Sequence, residues 1–175
     1  KLLSDRPIFA QNYGIYSHRI GDMWLAGGAS NSGGRVLAQF FDAATLQRLS
    51  SQINPQQPTG LDYYPLLEKG ERFPVADPDL SPRMEPRPDD DALFLQGLFE
   101  GIAAIEKLGY RRLSELGAPP LASLRSVGGG SVNPAWTAIR QHALGVPFLQ
   151  AASTEAAAGT ARLSLKGAIA AGVMQ

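Results

Sequence analysis

The sequence predicts an α/β fold, on three observations. β-forming runs at the start give way to helical patterns, glycine-rich turns twice join a strand to a helix, and a long amphipathic helix follows a proline-rich stretch. From Ile8 to Ala29 the chain is rich in Ile, Phe, Tyr and Trp, and Ile20-Gly21-Asp22 sits between two such runs, which reads as a hairpin. The second strand ends in Gly27-Gly28-Ala29-Ser30-Asn31-Ser32-Gly33-Gly34. A short helical pattern follows through Arg35, Val36, Leu37, Phe40 and Phe41. Asp42 is then placed to cap a second helix that carries Leu46 and Leu49 on one face.

Residues 54–88 hold eight prolines, which exclude long helices and central strands. Tyr63, Tyr64, Leu66, Leu67 and Phe73 give this excursion apolar anchors, so it is expected to be ordered. Asp89-Asp90-Asp91 starts a helix, because negative charge is favoured at the positive end of the helix dipole. Phe94, Leu95, Leu98, Ile102 and Ile105 form its apolar stripe, and the spacing predicts a stop near Leu108 with Gly109 as the C-cap. Leu121–Val127 reads as a short buried strand. Asn133-Pro134 is an N-cap with proline at the first helical position, and that helix stops at Gly145. Val146-Pro147-Phe148-Leu149 reads as an edge strand, and Ser153 as the cap of a final alanine-rich helix.

Charge is balanced at 16 basic and 16 acidic residues, which argues against a nucleic-acid partner. No apolar run is long enough to span a membrane, so no membrane partner is expected. The chain has no cysteine, which removes disulfides and thiolate metal sites and fits a reducing compartment. It opens on Lys1 rather than Met, which leads to the expectation that residues precede it.

The chemistry concentrates in Val127-Gly128-Gly129-Gly130-Ser131-Val132-Asn133-Pro134-Ala135-Trp136. A strand ends, glycines let a ligand approach the backbone, a capped helix begins, and Trp136 lies one turn in, where an indole can sit beside a base. A turn that merely packs a strand against a helix explains the glycines equally well. The spacing fits neither a phosphate-loop nor a dinucleotide fingerprint. The cluster at Gly27–Gly34 repeats the arrangement, and two such clusters suggest two walls of one nucleotide cleft. Asp77, Asp79 and the Asp89–Asp91 run read as solvated carboxylates rather than a metal site. His18 and His142 lack metal-ligand spacing, and no Ser/His/Asp set has a nucleophile elbow.

Four segments, in order, resemble the FGGY carbohydrate kinase family in its C-terminal part: Leu25-Ala26-Gly27-Gly28-Ala29-Ser30; Gly70-Glu71-Arg72-Phe73-Pro74 with Asp77-Pro78 and Arg83; Ser126 to Trp136; and Glu155 to Ala161. The stretch Tyr13–His18 leading into the first turn looks most like the ribulokinase- or xylulokinase-like branch of plants and cyanobacteria. The resemblance implies the second lobe of an actin-like ATPase (ribonuclease H-like) fold, incomplete at its N-terminal side, spanning residues 1–175 with 54–88 as an excursion. It implies ATP-dependent phosphorylation of a sugar hydroxyl, on a ketopentose such as ribulose or xylulose, with ATP and Mg²⁺. Gly129, Gly130, Asn133 and Trp136 would hold adenine and ribose, with Gly28 facing the nucleotide from the other side. Ser32 stands where relatives use a longer polar side chain, and the Gly-Glu-Arg segment is assigned to loop support.

The family's catalytic Asp and γ-phosphate loop would lie upstream of Lys1, so no catalytic or metal-binding residue is expected here, and the sugar would be held mainly by a preceding lobe. The strand carrying that Asp would lie between the hairpin near Tyr13 and the strand near Val127, leaving their backbone unpaired in its absence. The expectation is therefore a fragment, inactive alone, whose partners are ATP or ADP, the sugar and the rest of the same protein. Its expected location is the cytoplasm, or the plastid stroma if the source is a plant. Actin-like chaperone ATPases and activators of radical enzymes lack the Gly-Glu-Arg-x-Pro segment. A non-catalytic nucleotide-binding module of the same fold is the other reading.

Overall fold

Short local signals set most of the elements. The structure, a computed structural model, describes residues 1–153 and 155–173. The hairpin forms as expected from strands β2 (Tyr16–Ile20) and β3 (Met23–Gly27), paired antiparallel from Ile20↔Met23 to Tyr16↔Gly27. Residues before Tyr16 are not part of the strand: Ala10 bridges Ile15 across a single 3-10 turn. A strand absent from the sequence reading, β1 (Leu2–Ser4), pairs antiparallel with β3, so the sheet order is β1-β3-β2. Three residues are too few for alternation to register.

Helices α1 (Gly34–Phe40) and α2 (Ala43–Ser50) follow, and the Asp42 carboxylate accepts the Thr45 N–H at 2.7 Å, the expected cap. The excursion holds no helix or strand among the described residues, and it is pinned to the next helix. Tyr63 and Leu66 are buried, Thr59 donates to Glu100, and Gln96 donates to the carbonyls of Asn54 and Gln57.

Helix α3 (Asp91–Glu115) is capped by Asp90, whose carboxylate accepts from Ala92 and Leu93. It does not stop at Gly109. That glycine is buried inside the helix, where an added Cβ would lie 2.5 Å from the Phe73 ring. Its reason is a close approach, which sequence cannot distinguish from a cap. The terminator is Gly117, left-handed at φ +83°, after which Ala118 N–H returns to the Leu113 carbonyl.

Leu121–Val127 and Val146–Leu149 are not strands. They meet in one parallel bridge, Leu124↔Phe148, with N–H bonds of 3.0 and 2.7 Å. Pro147 removes a ladder donor from the second segment, and Pro119 and Pro120 stand just before the first. Helix α4 (Pro134–Leu144) starts and ends where expected, on Asn133 and Gly145. Helix α5 (Ala156–Ala170) starts after Glu155 rather than on Ser153, whose hydroxyl accepts the Glu155 N–H.

The main core packs α1, α2, the excursion and α4 around the first half of α3, through Leu37, Phe41, Leu49, Tyr63, Phe94, Leu98, Phe99 and Ile139. A second core, with Ile8, Ile15, Ala26, Leu113 and Ala118, seats the sheet on the far half of α3. Among the described residues no ladder joins β1 to Leu124; a cleft of about 880 Å³ lies between them.

Because Phe73 fills the space beside Gly109, Gly109→Ala is expected to lower stability by about 1–3 kcal/mol. That outweighs the gain of about 1 kcal/mol in helix propensity. Urea denaturation of the variant checks this; an unchanged or raised midpoint would contradict the packing account.

Candidate functional site

The first glycine turn leaves β3 and is held by a carboxylate from the excursion. Glu71 is only 3% exposed. It accepts from the Ser30 hydroxyl (2.7 Å), the Asn31 N–H (2.7 Å), the Arg72 N–H (2.8 Å) and the Tyr64 hydroxyl (3.1 Å). Arg72 Nε donates to the Asn31 side-chain oxygen, and Asn31 Nδ2 donates to the Gly70 carbonyl. The Gly-Glu-Arg segment is thus a splint for the turn, as expected. Burial, then the charge of Glu71, push Tyr64 above the ordinary tyrosine range. Ser32 donates its N–H to Ser30, while its buried hydroxyl has no partner among the described residues.

The second turn begins at Gly128, where φ of +82° favours glycine. A 3-10 turn, Gly129–Val132, leads to Asn133, whose oxygen accepts the Trp136 N–H at 3.0 Å. Its Nδ2 donates to the Ser50 hydroxyl at 2.8 Å, so the same side chain starts α4 and ties it to α2. The indole lies close beside Gly130: an added Cβ would be 3.3 Å from Trp136 Nε1. One turn along α4, buried Arg140 grips Glu106 through two bonds of 2.7 Å and donates to Ser126 at the root of the turn. Its guanidinium lies over both Trp136 (5.2 Å) and Phe148 (4.9 Å). Burial and then Glu106 push Tyr110, nearby, up to about 12.

Gly129, Gly130, Asn133 and Trp136 come together. They line one wall of a cavity of about 280 Å³ whose other wall is Gly33, Gly34 and Leu37, with Phe99 also in the lining. A space of about 1010 Å³ adjoins it, and Gly34, Leu46, Gly129 and Asn133 border both. Gly28 lies elsewhere, in the cleft of about 880 Å³ beside β1, which it shares with Gly130 and Trp136. An added Cβ at Gly28 would lie 2.3 Å from the Phe73 ring, so packing alone accounts for that glycine. At Gly33, Gly34 and Gly129 the added Cβ would meet nothing within 4 Å, so these glycines leave their backbone open to the cavity. Gly33, Gly34 and Ser50 were not singled out from sequence. The first two stood in the quoted cluster; Ser50 carried no local signal.

The acidic residues have structural employment. Asp79 pairs with Lys69, Asp91 with Arg87, and Asp77 accepts from the Asp79 N–H. Among the described residues no group of three or more His, Asp or Glu side chains is placed to hold a metal ion. His18 stacks edge-on against Tyr16 at 5.1 Å, and His142 lies in the last turn of α4. No helix among the described residues is long and apolar enough to cross a membrane.

The chain belongs to the FGGY family of carbohydrate kinases: the sequence model of that family's C-terminal domain matches residues 2–168. The fold is that of this domain, consistent with an actin-like ATPase architecture. Among solved structures it is similar to a xyloylose kinase from Brucella ovis, with 25% identity and a TM-score of 0.80 over 96% of this chain and 36% of that one. It is similar in fold to xylulose kinase from Bifidobacterium adolescentis (21% identity, TM-score 0.66, 87% of this chain and 31% of that one). A gluconate kinase from Lactobacillus acidophilus likewise shares the fold (17% identity, TM-score 0.75, 99% of this chain and 36% of that one). The chain spans about a third of the length of these proteins.

Two outcomes follow from the site's hydrogen bonds and titration. Glu71→Gln places an NH₂ among N–H and O–H donors, and a loss of about 2–3 kcal/mol is expected, measured by chemical denaturation; a wild-type midpoint would contradict the splint. Tyr64 and Tyr110 hold their protons in the folded state above the unfolded value of about 10. Their contribution to stability is therefore complete below that pH and is lost as pH rises toward 12. An ultraviolet titration should show late-ionising phenols, one of which disappears in Tyr110→Phe; titration of every tyrosine near the ordinary value would contradict this.

Proposed function

We propose that this chain supplies the adenosine-binding half of an ATP-dependent sugar kinase, with Gly129, Gly130, Asn133 and Trp136 on one wall and Gly33 and Gly34 on the other. The observation that carries the reading is the meeting of two glycine turns, from opposite ends of the sequence, across one cavity bordered by Phe99 and Trp136. An aromatic wall suits a planar base. Asn133 keeps one N–H and one oxygen lone pair beyond its two bonds within the protein. Gly28 lies on the far side of Trp136 and is assigned to support of the turn, beside a path for the ribose or phosphates past Ser32.

On this reading residues 1–175 form one C-terminal domain with 54–88 as its excursion. ATP and Mg²⁺ are the cofactors, with the metal held by residues outside those described. The acceptor is a ketopentose such as xylulose or ribulose, supported by the xylulose kinase likeness in fold. The catalytic base and most sugar contacts come from the rest of the protein. A strand of that remainder occupies the cleft between β1, an edge strand of its sheet, and Leu121–Val127.

Tryptophan fluorescence tests the assignment. ADP is expected to quench it, and the quench should vanish in Trp136→Phe while Trp24 supplies a constant background. A quench unchanged by that substitution would place the nucleotide elsewhere. ADP binding by the intact protein with no turnover of any ketopentose or polyol would favour the non-catalytic module.

A further inference from the structure

Ser50 is 8% exposed, stands at the end of α2, and borders the space of about 1010 Å³ beside the cavity. Its hydroxyl accepts from Asn133 Nδ2 at 2.8 Å, across 83 residues of sequence. The Asn133 oxygen is committed to the Trp136 N–H, which fixes which end of the carboxamide faces the helix. One of the two amide hydrogens is then committed to Ser50, and the second is left over. Asn133 borders both spaces, which puts its carboxamide within reach of a ligand in either.

Resting on the nucleotide reading above, we propose that Ser50 is a positioning residue: it holds the Asn133 carboxamide so that its spare N–H serves as a fixed donor to the nucleoside. Without the hydroxyl, the cap bond alone restrains the group and Nδ2 turns toward whichever acceptor is nearest. A preorganised donor binds more tightly than a mobile one, because its rotation has already been restricted in the free protein. Ser50 acts through Asn133 and touches no ligand on this account.

A double-mutant cycle on the intact protein decides it, with ADP as the probe and Kd read by calorimetry. Ser50→Ala is expected to weaken ADP about three- to tenfold. Ser50→Thr, which keeps the hydroxyl, should return Kd to near the wild-type value. In an Asn133→Ala background, Ser50→Ala should change Kd no further. A wild-type Kd in Ser50→Ala, or a full additional loss in the Asn133→Ala background, overturns the proposal. Should Ser50→Ala fail to fold, Ser50→Thr carries the test, and weak binding by that folded variant overturns it. Absence of ADP binding in the wild-type protein overturns the nucleotide reading itself, an outcome distinct from the others.

Discussion

A buried carboxylate answered by uncharged donors is the constraint on which the rest of this structure depends. Taking the Glu71 charge out of water is costly, and the cost is offset only because two donors come from the first glycine turn and the others from the excursion. The two segments are thereby one unit. Two residues after Glu71, Phe73 sets its ring against Gly28 on one side and Gly109 on the other, which sets the turn's distance from α3. Gly33 and Gly34 are carried at the end of this chain of constraints. Their position as a cavity wall is a consequence of a side chain well away from it.

The opposite wall is built from one short helix. Asn133, Trp136 and Arg140 are spaced so that the cap, the aromatic surface and the cation follow one another along α4. Arg140 reaches Glu106 on α3 and Ser126 before the turn, so the run Gly128–Gly130 is held at its root while carrying no side chains of its own. Rigid flanks with an open backbone between them are what close approach by a ligand requires. The site's polarity is sparse, with Asn133 as its main directional group, and this suits a nucleoside better than a charged head group.

Much of this was legible locally. Asp42, Asp90, Asn133-Pro134 and Gly145 each name a helix end through chemistry confined to a few residues, and the hairpin around Gly21 declares itself the same way. What failed was non-local. Gly109 looks like a terminator until Phe73 is known to lie over it. Leu121–Val127 has strand composition, but strand structure needs a neighbour, and the described residues offer Leu124 one only at Phe148. Ser50 is the extreme case: nothing near it in sequence hints at Asn133. The motif order identified the family, and the physics of the turns identified which of their residues face a cavity.

The central claim is that the two glycine turns close on one nucleoside. Amide hydrogen exchange on the intact protein, with and without saturating ADP, tests it most directly. The account predicts slowed exchange in both 33–38 and 128–136 together. Protection confined to other segments, or to one turn without the other, would contradict it.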